Sequence, residues 1–493
     1  MSRTNISLIL IGIFVILFLF LGCDIAGNLD YSQWIAISNV NLVPMTEEVI
    51  LENQTVLINE AQIAEIGSSE DIKIPKNAVI IDGAGFYLMP GLADMHMHST
   101  QDWETDWPVS PFALYLANGV TTVRNLDPLP GNSSTPTMNQ ADYALVWRDD
   151  ILTQNRPGPM MYLAGISLQG PDDWRPIVLE AGDAEKVVQA NADKGYDFLK
   201  MFEYFPSEYF AEAMAAADQY GLYVTGHIPM AVGLENAVNG GLDEIAHIIP
   251  ILMWERVGGY TPGMTRNEFL QHWQTETITQ WNGGSSEEWY QQQQESIDRI
   301  VEIISSNDVV VCTTVSGPDI TKELISDYDA FIQRTDMQYS RGRFLDLISR
   351  GEDGAQKAFT QNPSLMESFI YERDIWLREL KDAGVQLILG TDSGFGMGIV
   401  PGFSAHLELQ AMVNIGFTPY EAIATGTVNA SNVVEQMIGV DEFGTIEVGK
   451  RADFILIGGN PLDDVANIQE ILGVMAAGRW YPRESLDELL TLP

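Results

Sequence analysis

The sequence predicts an α/β protein: a (β/α)8 TIM barrel with a small β-sandwich domain built from both chain ends. Three observations carry this reading. Between about residues 90 and 436, eight apolar strand-like runs alternate with helical patterns, as in a parallel barrel. The flanking stretches, 31–89 and 437–493, share a different texture of short β-rich segments and turns. The ligand-type residues of a histidine-poor chain fall at the carboxyl ends of the candidate strands, where barrel enzymes place their chemistry.

Residues 1–23 stand apart from the globular body. Arg3 is the only early charge, and an uncharged apolar run from Ile6 to Gly22 ends at Cys23. The run is long for the core of a signal peptide and short for a membrane span. Phe20-Leu21-Gly22-Cys23 resembles the lipobox of bacterial lipoproteins, with Cys23 as the lipidated residue. An uncleaved N-terminal anchor is the alternative. Either reading exports the body of the protein and attaches it to a membrane, on the periplasmic or extracellular face. The other cysteine, Cys312, then has no disulfide partner in the mature chain and reads as a buried small hydrophobe.

The first β-rich unit runs through Trp34–Ile37, Val56–Ile58, Ile63–Ile66 and Val79–Ile81. Its counterpart at the other end runs through Gly444–Ile446, Ala452–Ile457 and Val474–Ala476. Between them the candidate strands are 92–98, 120–126, 160–166, 197–202, 223–228, 244–249, 309–315 and 386–392. Helical patterns separate them, as at Glu208–Tyr220 and Ser364–Ala383. The polar tract Gln291–Gln294 reads as helical surface. The formal charge of −42 disfavours nucleic acid and acidic polymers as partners. With no long acidic run, the excess reads as a solvated surface rather than a device for attracting cations.

His96 and His98 form an H-x-H pair in the first barrel strand, in a chain with six histidines. Side chains at i and i+2 of a strand share a face, and neutral imidazole is a common metal ligand. Strand four carries Lys200. Strand five ends in His227, strand six in His247 and strand eight in Asp392. The spacings agree with βα units of about 30 residues up to His247. The interval from His247 to Asp392 is too long for two units and implies insertions at 251–290 and 318–365, of the kind that form lids or substrate walls. A lone His227 or His247 could be a hydrogen-bonded core histidine, and Asp392 could cap a turn. Lys200 is harder to explain structurally, because an ammonium in an apolar strand is costly unless paired or neutralised. Together, four histidines, a lysine and an aspartate on one rim point to a metal site.

With these residues in place the chain resembles the amidohydrolase superfamily of metal-dependent hydrolases, over about 34–493. The likeness includes Met89-Pro90-Gly91-Leu92-Ala93-Asp94 leading into H-x-H, Gly119–Arg124, Gly390-Thr391-Asp392, Gly444–Asp453 and Asn460-Pro461-Leu462. The branch it most resembles is the imidazolonepropionase-related group, which includes Xaa-Pro dipeptidases with a lysine on strand four. Departures from that branch are Ala246, Asn125 and the Ile228-Pro229-Met230 that follows His227.

The resemblance implies two divalent metal ions, with zinc best suited to the ligands. It assigns His96, His98 and Asp392 to the first ion and His227 and His247 to the second, with a carboxylated Lys200 bridging both. A metal-bridging hydroxide would attack a C–N bond of a small-molecule or peptide-like substrate, and Asp392 would shuttle the proton. Arg124 is expected to meet a substrate carboxylate, or else to form a structural salt bridge. Trp174 is expected in a pocket wall and His406 at the pocket mouth, while His272 lies in the polar insertion. Trp254, Tyr260, Trp273, Trp281 and Trp289 could line a lid or pack beneath a long loop. A mononuclear deaminase of the same superfamily is the alternative activity, and a non-catalytic surface binding lipoprotein is the remote one. Homo-oligomerisation stays open.

Overall fold

The computed structural model describes residues 34–128, 141–170, 183–248, 286–340, 342–351, 363–394 and 398–492, with a few single positions between 251 and 275 and between 357 and 361. The apolar run with Cys23, Trp174, Trp254, Tyr260, Trp273, Trp281 and the side chain of Trp289 lie outside the described residues. Among the described residues no helix is long and apolar enough to cross a membrane.

The chain opens with β1 (Ile35–Leu42), β2 (Leu51–Asn59), β3 (Gln62–Ser68), β4 (Val79–Asp82) and β5 (Tyr87–Pro90). β1 pairs antiparallel with β2, and β2 with β3. The other edge of β1 is divided: Ile35–Ser38 pair with β4, and Asn41 and Leu42 pair with β5. The division falls at a register shift after Ile37, where Asn39 has φ 58°. Asparagine tolerates left-handed backbone better than most residues, and such irregularities bend a strand. One strand can therefore serve two partners on the same edge.

Eight parallel strands follow. β6 (Leu92–Met97), β7 (Val120–Asn125) and β8 (Met160–Leu163) form one sheet in sequence order. β9 (Phe198–Met201), β10 (Tyr223–Gly226), β11 (Glu244–Ala246), β12 (Val310–Cys312) and β13 (Leu387–Ile388) form another. Parallel bridges at Ala164–Phe198 and Leu168–Met201 join the chain leaving β8 to β9. At the other side, Met95 N–H donates to Leu389 O at 2.9 Å and Asp392 N–H to His96 O at 2.8 Å. β6 thus lies beside the segment that leaves β13.

Each expected parallel strand is present, and each stops short of its apolar run. His98, His227, His247 and Asp392 sit just beyond the ends of β6, β10, β11 and β13. The ladder ends where the backbone must turn to aim a polar side chain. Helices Ser207–Tyr220 and Pro363–Asp382 lie where the periodicity placed them, and Gln291–Gln294 lie in helix Ser286–Ser306. The inserted segment 318–365 is helical in its described parts, with Ser316–Ser326, Tyr328–Ile332 and Gly342–Ser349.

β14 (Phe454–Ile457), β15 (Ile471–Ala476) and β16 (Arg479–Pro482) are antiparallel neighbours. β14 pairs antiparallel with β5, Phe454 opposite Pro90 and Ile457 opposite Tyr87. The two chain ends therefore build one eight-stranded sheet, in the order β16-β15-β14-β5-β1-β2-β3 with β4 beside β1. A second sheet facing this one, as a sandwich requires, is not shown, because hydrogen bonds through β5 join both contributions into a single sheet. One face is packed with Ile37, Val56, Leu88, Phe454 and Met475.

Candidate metal centre

The carboxyl ends of the parallel strands bring the six expected residues to one place. β6 is irregular where it matters: its pairing with β7 shifts at Leu92–Ala93 and again between Asp94 and Met97. The second shift falls at the H-x-H pair, so regular pairing with β7 is interrupted there. His247 has φ 76° and Asp392 φ 58°. Left-handed backbone is unfavourable for such residues and persists where surrounding contacts impose it, often at functional sites. Glycine permits close approach at two neighbouring points. A Cβ on Gly226, φ 151°, would lie 2.0 Å from Met201 O, and one on Gly390 would lie 2.6 Å from His96 Cβ.

His98 Nε2 lies 3.0 Å from Asp392 Oδ1 and 3.1 Å from His96 Nε2, which is itself 3.5 Å from the same Oδ1. Ligand-type atoms of His96, His247 and Asp392 all lie within 4.8 Å of one another. The His247 ring is centred 4.3 Å from that of His96 and 5.0 Å from that of His227. Lys200 is buried, its Nζ 5.3 Å from the centre of the Phe202 ring and without a hydrogen-bond partner among the described residues. On the outer side of the cluster, His227 Nδ1 hydrogen-bonds to Glu203. His247 Nδ1 lies 2.9 Å from Thr314 Oγ1. Nε2 is then the nitrogen of each ring left for a metal.

Burial dominates the titration of the cluster. It holds His96 and His247 well below the ordinary histidine value, reinforced at His96 by His247 and Lys200. It also lowers His227, against the pull of Glu203. These three imidazoles are therefore neutral at neutral pH. Burial raises Asp392, but its hydrogen bond with His98 and the nearby Lys200 amine outweigh that and hold it down to about 2. Burial lowers Lys200 to about 8, although Asp392, Asp127 and Glu203 oppose it. Neutral imidazole nitrogens converging with a carboxylate are donors that could hold a divalent cation. The unpartnered Lys200 amine beside them fits conversion to an anionic ligand better than it fits a resting ammonium.

Four further expectations fare differently. Arg124 does not line a pocket. It is fully buried, donating from Nη1 to Glu244 Oε2 at 2.7 Å, from Nη2 to Glu244 Oε1, and from Nε to Met95 O at 2.7 Å. Hydroxyls of Thr225 and Tyr223 also donate to Glu244, at 2.8 and 3.3 Å. A guanidinium without water requires such a paired carboxylate, so the structural salt bridge is the reading that holds. His406 is not at the pocket mouth. It is buried in helix Phe403–Ile415 near the backbone of Asn118, which precedes β7 and so lies at the far end of that strand from the cluster. Trp174 lies outside the described residues, and His272 is exposed.

Sequence reasoning missed Glu203, Thr314 and Asp94. Glu203 follows Lys200 by three residues, just past β9, and a carboxylate there was a usable signal. Thr314 has no comparable signal in the sequence, since its role depends on a turn. Asp94 accepts from the backbone of His96 at 3.2 Å, a role not assigned to it as part of the motif leading into H-x-H.

Residues 372–481 match the amidohydrolase family, and the likeness read from the motifs is borne out over that segment. The adenine deaminase of Staphylothermus marinus is 40% identical over 91 residues, 18% of this chain and 15% of that protein. The imidazolonepropionase of a Geobacillus species is 34% identical over 100 residues, 19% of this chain and 20% of that protein. The chain thus matches no more than about a fifth of the length of these curated relatives. In fold it is similar to the crystal structure of a Xaa-Pro dipeptidase with bound methionine in the active site. That similarity has a TM-score of 0.61 at 17% identity, covering 91% of this chain and 100% of the other.

Proposed function

We propose that this chain is a metal-dependent amidohydrolase that cleaves a C–N bond in an amide, peptide-like or cyclic amide substrate. The observation that carries the reading is the convergence of His96, His98, His247 and Asp392 beside a buried Lys200 that has no hydrogen-bond partner among the described residues. The eight parallel strands are read as a closed (β/α)8 barrel, supported by the hydrogen bonds between β6 and the segment 389–392. Its carboxyl-end rim is then the active face. His96, His98 and Asp392 would hold one zinc ion, His227 and His247 a second, and Lys200, as its carbamate, both.

Metal ions there would supply Lewis-acid activation of water and of the scissile carbonyl. The protein's own part is to orient and to move protons. Asp392, ionised at neutral pH, accepts a proton from the attacking water and returns it to the departing amine nitrogen. Glu203 and Thr314 fix the rings of His227 and His247.

A mononuclear deaminase is the second reading, favoured by the local identity to adenine deaminase. Lys200 weighs against it, because a one-metal site has no use for a bridging carbamate. Two metal ions per chain, lost in Lys200→Ala together with hydrolysis of dipeptides, N-acyl amino acids or lactams, is the expected result. One tightly bound ion and an active Lys200→Ala would favour the deaminase. For residues 1–23 we hold to export and membrane attachment, through a lipid on Cys23 or an anchor. Mass spectrometry of the mature N-terminus tests this, and an intact Met1 excludes the lipid.

A further inference from the structure

We infer that Glu408 is a positioning residue for His247, acting through the turn that follows β12. The inference rests on the proposed function only in taking His247 as a metal ligand.

Glu408 lies in helix Phe403–Ile415 and is fully buried. Its carboxylate accepts from Thr313 Oγ1 at 2.6 Å, Val315 N at 2.7 Å and Ser316 N at 2.8 Å. A carboxyl group in this setting is costly unless hydrogen-bonded, and three donors from one turn meet that need. Arg373 grips the same turn from another side, donating to Val315 O at 2.5 Å and to Asp319 at 2.7 Å.

Thr314 sits in the middle of this clamp. Its φ is 44°, a conformation that a β-branched residue avoids. Glycine or asparagine would relieve the strain, but glycine has no side chain to offer. The Thr314 hydroxyl is the group 2.9 Å from His247 Nδ1. His247, itself at φ 76°, is tied to the same turn by its N–H, which donates to Cys312 O at 3.1 Å. The chain of contacts therefore runs from Glu408 to the turn, from the turn to the Thr314 hydroxyl, and from that hydroxyl to the imidazole. With Nδ1–H donating to Thr314, Nε2 keeps its lone pair for a metal.

A plainer role for Glu408 is to cap helix Ser316–Ser326 through the Val315 and Ser316 amides. That role would need no hydroxyl at 314 and would leave the imidazole unaffected. The two are separated by long-range 1H–15N spectra of the metal-free protein labelled at histidine, with His247 assigned by substitution, alongside zinc affinity from competition titration. Wild type should show the Nδ1–H tautomer at His247. Thr314→Val and Glu408→Gln should give mixed tautomers and zinc binding weaker by about 10–100-fold, while Thr314→Ser should stay close to wild type. Unchanged tautomer and zinc affinity in Glu408→Gln, even with a lower melting temperature, would overturn the inference. If Glu408→Gln fails to fold, Glu408→Asp, which draws the carboxylate back from the turn, takes its place. A wild type that binds no zinc would defeat the proposed function, and the tautomer comparison would still decide this inference.

Discussion

Asp94 and Thr391, 297 residues apart in the chain, are joined by two hydrogen bonds. Thr391 N–H donates to Asp94 Oδ1 at 3.0 Å and its hydroxyl to Oδ2 at 2.6 Å. Asp94 also accepts from His96 N–H at 3.2 Å. One side chain thus fixes the strand bearing the H-x-H pair against the residue that precedes Asp392. Removing it leaves buried backbone donors without partners, at about 1–3 kcal/mol each. Asp94→Ala should destabilise the metal-free protein by about 3 kcal/mol in urea unfolding, and an unchanged midpoint would refute the tie.

Lys200 should make the metal-free protein weaker than it need be. Its value falls from 10.5 to about 8 on folding, so the folded state disfavours the charged form. The penalty is full below pH 8, shrinks as pH rises from 8 to 10.5, and is absent above. Lys200→Met should therefore stabilise the metal-free protein by about 3 kcal/mol at pH 7, with the gain gone near pH 11, while metal uptake falls. A loss of stability at pH 7 would show that the amine is already satisfied.

Arg124 and Glu244 are an ion pair with both side chains fully buried. Arg124→Met strands the Glu244 carboxylate and should cost about 3–5 kcal/mol. Adding Glu244→Leu should recover much of that loss. A double variant no more stable than Arg124→Met would mean that Tyr223 and Thr225, not the missing charge, set the cost.

His406 gives the fold a pH sensitivity unrelated to the cluster. Burial lowers it from 6.5 to about 4, so the folded state binds fewer protons than the unfolded one between those values. Stability falls as pH drops through that window, by about 2 kcal/mol at pH 5. His406→Leu should make thermal unfolding less steep between pH 5 and pH 7, the buried histidines of the cluster keeping part of the slope, and a slope equal to wild type would assign the sensitivity elsewhere.

Much of this was legible in the sequence, because strand number and spacing follow from local hydrophobic pattern. The runs around 92, 120, 160, 198, 223, 244, 310 and 387 are all strands. Counting them placed His96, His98, Lys200, His227, His247 and Asp392 on one rim before any distance was known. Two kinds of feature were not legible. Arg124 has Glu244 for a partner 120 residues away, and no local pattern names which carboxylate a buried arginine will find. The sheet of the chain ends turns on a kink at Asn39 that lets β1 take both β4 and β5. Alternating apolar residues specify strands, but not how many neighbours each will have.

The seam between β5 and β14 also bears on how the molecule is made. β5 ends at Pro90, and the strand that covers its open edge begins at Phe454. A ribosome must deliver everything between before that edge is closed. Throughout synthesis, β5 offers unpaired main-chain groups in an unfinished sheet, which is an invitation to wrong partners. The last strands made are thus a latch on the first. Late truncations that leave every residue of the rim intact should still impair assembly by depriving the earliest strands of their cover.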